Sequence, residues 1–260
     1  MDISNYITFD LRVPYKKLLL YPVLVKDYMT FSYASTCLQI DKNSIPIPEV
    51  IMMSELEFMF YCTQMDASTP YILLLDRLLG LCLRDDKSFE DAQSSVLRFK
   101  PHGSQGKPVF IIADEEYTAE DFKEIKKIIV AQNDIELPDE NISKEVRDSL
   151  DEARRYKQKL HGKPASLEDY LVSVAVTTGW TLDYIYTMPI RKFQRVMKRL
   201  DNYIHYKIYL AASMSGMAQF SDTSMIKHWL SNLDATDKYG DVSVGLDKIQ
   251  DTISLESAKR

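Results

Sequence analysis

Residues 69–83 read TPYILLLDRLLGLCL, and how this run folds decides how the rest of the chain must be arranged. It is apolar on nearly every side, interrupted only by Asp76 and Arg77. A short apolar run of this kind is either a fully buried strand or a helix enclosed by other elements. It contains seven leucines, and leucine favours helix over strand. Pro70 is suited to a first helical turn, where its missing N–H costs nothing. The reading is therefore a buried central helix, with mainly helical elements around it.

Working outward, Ser54 and Glu57 form a capping box for a helix to about Thr63. Further upstream, Lys26 to Leu38 places Tyr28, Phe31, Ala34, Ser35 and Leu38 at helical spacing. Residues 41–50 (DKNSIPIPEV) read as a loop. Leu18 to Val25 contains Pro22, so an edge strand or extended segment fits and a central strand does not. Residues 6–13 (YITFDLRV) alternate loosely before Pro14 and read as a strand.

Downstream, residues 94–118 read SSVLRFKPHGSQGKPVFIIADEEYT, a hairpin over about 95–113 with Gly103 and Gly106 in its turn. Thr118 and Asp121 form a second capping box, with Phe122, Ile125, Ile128 and Ile129 as the apolar face of a helix to about Gln132. Ser143 caps a charged helix to about Leu160. Residues 114–159 carry 14 acidic and 9 basic side chains, which reads as a solvated, salt-bridged arm. HGKPAS is a linker. Ser166 and Asp169 cap a helix ended by Gly179. A short helical turn and a break at Met188-Pro189 follow. The longest helix then runs over about 190–213, with Phe193, Val196, Met197, Leu200, Tyr203, Ile204, Ile208 and Ala211 on a face expected to be buried. A short helical piece is expected around Met225 to Leu233, then a polar tail.

The fold class that results is α+β and mostly α-helical, with a small antiparallel β element followed by a helical C-terminal part. The expected domains are 1–160, carrying the hairpin and the charged arm, and 166–260, helical with the polar tail.

Composition narrows the function classes. The chain has 260 residues, a net charge of −6 and 45% hydrophobic residues. That charge argues against a general DNA coater. Three scattered cysteines, Cys37, Cys62 and Cys82, make no disulfide framework. No apolar run approaches the ~20 residues that span a bilayer, so no membrane association is expected. The four histidines have no metal-ligand spacing, and GSQGKP at 103–108 lacks a Ser or Thr after Lys107 and a helix to follow. No catalytic, cofactor-binding or metal-binding residue is assigned, no small-molecule substrate is evident, and the chain is expected not to be an enzyme.

One charge asymmetry stands out. Arg191, Lys192, Arg195, Lys198 and Arg199 fall within nine residues of one helix. A solvated face is the plain reading. An acidic protein partner is the functional one, and a regulatory or nucleic-acid-associated role is the alternative. Tyr184, Tyr186, Tyr203, Tyr206 and Tyr209 surround the same helix, and a surplus of such residues after core packing favours assembly.

The segment TTGWTLDYIYTMPIRKFQRVMKRLDNYIHYKIYLAASMSGM, 177–217, resembles small helical proteins that act in tail and baseplate assembly of tailed bacteriophages, including tail assembly chaperones. The shared pattern is the Gly179-Trp180 turn, Leu182-Asp183-Tyr184-Ile185, the Met188-Pro189 break, Phe193 and a long basic amphipathic helix. LLLYPVLVKDYMTF at 18–31 is similar to phage structural-module proteins of Gram-positive hosts. The resemblance implies a non-enzymatic structural or assembly protein. Its partners would be other virion or tail proteins or a second copy of itself, in the host cytoplasm during assembly or in the virion.

Overall fold

The computed structural model describes residues 3–40, 47–65, 70–84, 96–101, 103, 107–138, 144–160, 165–215 and 228–233. Its helices and two small antiparallel sheets make an α+β fold that is mostly α, with a helical C-terminal part. Two compact units are present. One comprises Met1–Glu140 with Val174–Val196, and the other Asn141–Ser173 with Met197–Arg260.

The first unit starts with a short helix α1 (Ser4–Thr8), then strands β1 (Val13–Tyr15) and β2 (Leu18–Leu20) paired antiparallel. The strand expected over 6–13 is thus corrected: its first half is helical. Ile3 and Tyr6, three residues apart, pack on the core from one side of that turn, while Phe9 stays exposed. Pro14 sits within β1, which a two-stranded sheet tolerates because each strand is an edge. A 3₁₀ turn (Val25–Asp27), α2 (Tyr28–Ala34) and a second 3₁₀ turn (Ser35–Leu38) follow, burying Phe31, Ala34 and Leu38 as their spacing requires. The loop expected at 41–50 falls partly outside the described residues. Its end is a short helix, α3 (Pro48–Met52), opened by Pro48, whose fixed φ suits a first helical position.

Helix α4 (Glu55–Met65) carries the expected capping box: Ser54 N–H donates to Glu57 and Glu57 N–H to Ser54 Oγ. Helix α5 (Tyr71–Leu83) is the central element. Leu75, Leu78, Leu79 and Cys82 are fully enclosed. Helices α2 and α4 and strand β2 pack around it. Each buried leucine contributes about 1.5–3 kcal/mol. Asp76 is the polar exception, and it is spent on structure: its carboxylate accepts from the Leu97 N–H at 2.7 Å, where the second sheet begins.

That sheet has the order β3 (Arg98–Lys100), β4 (Val109–Ile112), β5 (Glu115–Tyr117), all antiparallel. The expected hairpin is β3–β4; the sequence reading missed β5. Gly103 does not supply a positive φ, contrary to expectation. Its role is space: a Cβ there would lie 2.5 Å from the Val109 side chain. Gly106 lies outside the described residues.

Helix α6 (Ala119–Asn133) begins at the Thr118–Asp121 capping box and buries Phe122, Ile125, Ile128 and Ile129. The arm expected over 114–159 is corrected here, because α6 is a core helix and its charges occupy only the outer face. Its last turn fastens the N-terminal sheet. Gln132 Nε2 donates to the carbonyls of Leu11 and Leu20, and Asn133 Oδ1 accepts from Val23 N–H. Beyond it, α7 (Lys144–Leu160) holds the dense charge. Its expected cap, Ser143, is outside the described residues. Helix α8 (Leu167–Thr178) starts with the Ser166–Asp169 box, in which Ser166 N–H donates to Asp169 at 2.7 Å. Helices α9 (Leu182–Tyr186) and α10 (Ile190–Met214) complete the described chain, apart from a turn at 228–233. Residues 228–233 are not helical as expected; the preceding part of that piece is outside the described residues. No helix among the described residues is long and apolar enough to cross a membrane.

Asp121 does more than cap. Its carboxylate accepts from Tyr15 Oη at 2.7 Å and from Lys16 Nζ at 2.5 Å, so it ties the first β-turn to α6. Burial pushes its pKa up, but hydrogen bonds from Lys16, the Thr118 backbone and Tyr15 outweigh that and hold it below the ordinary carboxylate value. A lowered folded pKa means stability that is present above the unfolded value of about 3.9 and lost as pH falls through the folded one. Asp121→Asn is expected to lower stability by about 2 kcal/mol at neutral pH and to flatten the loss of stability below about pH 4. Urea titrations across pH check both. At the centre, Leu79→Ala is expected to cost about 3–5 kcal/mol in the same titration.

Candidate partner-binding surface

The C-terminal helices are set by a glycine. Gly179 has φ +75°, the left-handed conformation that ends α8, and its N–H returns to the Ala175 carbonyl at 2.8 Å. Trp180 follows and packs edge-to-face on Tyr184, ring centroids 5.4 Å apart. Thr181 caps α9 by accepting from Tyr184 N–H. The Met188-Pro189 break then runs beside the chain after β2. Val25 N–H donates to the Met188 carbonyl and Ile190 N–H to the Val23 carbonyl, both at 2.9 Å. Leu24 and Pro189 form an isolated antiparallel bridge. These bonds hold the start of α10 within the first unit, with Ile190 and Phe193 buried.

All five expected cations lie on α10. At 100° per residue, positions 191, 192, 195, 198 and 199 occupy one arc of about 120°. Arg191, Lys192 and Arg195 belong to the first unit, and Lys198 and Arg199 to the second. Several have structural partners that the sequence did not disclose. Arg191 Nη1 reaches the Ile7 carbonyl at 3.5 Å. Lys192 Nζ lies 3.2 Å from Asp10 Oδ2, and Asp10 is held at φ 55°. Arg199 Nη1 donates to the carbonyls of Trp229 and Ser231, the latter at 3.0 Å. Arg195 and Lys198 also make interactions of their own. No sequence signal marks Asp10, Trp229 or Ser231 as partners, because each lies far along the chain and two of the acceptors are backbone carbonyls.

The opposite face of α10 differs from expectation. Phe193 is buried, but Ile204 is 46% exposed and Ile208 57%. Sequence periodicity places apolar residues on one stripe without saying what covers it. Tyr203 is covered in part by Trp229, ring centroids 5.7 Å apart, and Tyr206 by His228 at 5.2 Å. Val172, Val176, Tyr184 and Leu230 add to the exposed apolar surface of the C-terminal segments. Of the three thiols, Cys37 and Cys82 are buried, with burial pushing both pKa values up to about 12; neither is a reactive thiolate.

Residues 157–234 match the family described as the YomV second domain, YomV being a Bacillus phage-region protein. The match covers 78 of the 260 residues and includes α8, α9 and α10. It also contains 177–217, the segment quoted above for its resemblance to phage proteins. No curated protein and no solved structure matches the chain.

Two outcomes follow from this geometry. Gly179→Ala is expected to destabilise by about 1 kcal/mol through backbone conformation alone, since a Cβ there meets nothing within 4 Å; thermal unfolding followed by circular dichroism reads it. Arg199→Ala in a Trp180→Phe background is expected to red-shift the remaining Trp229 emission, because the guanidinium no longer holds the 229–231 turn against Tyr203.

Proposed function

We propose that this protein is a non-enzymatic tail or baseplate structural or assembly protein of a tailed bacteriophage, acting through protein–protein contacts. The carrying observation is the match of residues 157–234 to the second domain of a phage-region protein. It coincides with the segment that resembles tail and baseplate assembly proteins. The surface of these helices supports the reading. Exposed Ile204, Ile208, Tyr209 and Met214 offer apolar contact area with a polar tyrosine handle. The five cations Arg191, Lys192, Arg195, Lys198 and Arg199 supply charge that steers an acidic protein surface. The partner is another virion or tail protein or a second copy. The setting is the host cytoplasm during assembly, or the virion.

The cations divide by what they touch. Arg191, Lys192 and Arg199 hold carbonyls or Asp10, so their reversal mixes lost stability with lost binding. Arg195 and Lys198 also make interactions of their own, so Arg195→Glu with Lys198→Glu is compared with the wild-type chain after thermal unfolding has verified its fold. It is expected to weaken partner association at low salt by about tenfold, with the difference fading at high salt. A phage lacking this gene is expected to produce filled heads without functional tails by electron microscopy. Normal, infective tails would overturn the reading. Tight sequence-independent nucleic-acid binding abolished by the same two substitutions would replace it with a nucleic-acid role.

A further inference from the structure

No further inference is drawn: the strongest candidate, the exposed apolar stripe of α10 around Ile204 and Ile208, belongs to the surface already described, and nothing in the structure shows what covers it.

Discussion

Helix α5 must be surrounded. With leucines on nearly every side and one buried carboxylate, it is stable only when other elements cover most of its circumference, and Leu73 is its one exposed leucine. Helices α2 and α4 and strand β2 do so, and the second sheet is attached by the Asp76–Leu97 bond. The short strands follow from the same constraint. Neither small sheet has enough paired backbone to stand alone, and each is stable because its buried face rests on the helices. Gln132 and Asn133, at the end of α6, satisfy carbonyls and an N–H that the N-terminal strands leave open.

The C-terminal helices obey a different economy. Their positions depend on backbone devices: a left-handed glycine, a threonine cap, and two main-chain bonds either side of Pro189. Few side chains beyond Ile190 and Phe193 are enclosed on α10. Ile204, Ile208 and Met214 of α10 are exposed. The cations on it serve two purposes. Arg199 organises the turn at 228–231, and Lys192 neutralises an aspartate held in a left-handed conformation.

The capping boxes at Ser54, Thr118 and Ser166 were legible because they depend on residues three apart. The central helix was legible from leucine density, and the apolar face of α6 from its period. Strand β5 was not, because EEY has no alternation and becomes a strand only by pairing with β4. The strand read over YITFDLRV, 6–13, was misplaced, since loose alternation leaves room for a single helical turn over its first residues. Gly103 illustrates the same limit: the letter marks a need for glycine, but only Val109 packed against it shows the need is for space.

The amino-acid sequence by itself determined the local decisions: where helices start, which stripe of each is apolar, where Gly179 stops one, and that five cations share an arc of α10. These depend on neighbours within about one turn of chain, where spacing alone carries the information. Tertiary structure alone decided what each stripe meets. It buried α6, a helix whose charge density read as solvated, and left Ile204, Ile208 and Met214 of α10 exposed. It also set Lys192 against Asp10 and Arg199 against the carbonyls of Trp229 and Ser231. Burial and charge clustering are properties of contacts between segments far apart in the chain, and no periodicity within one segment encodes its partner.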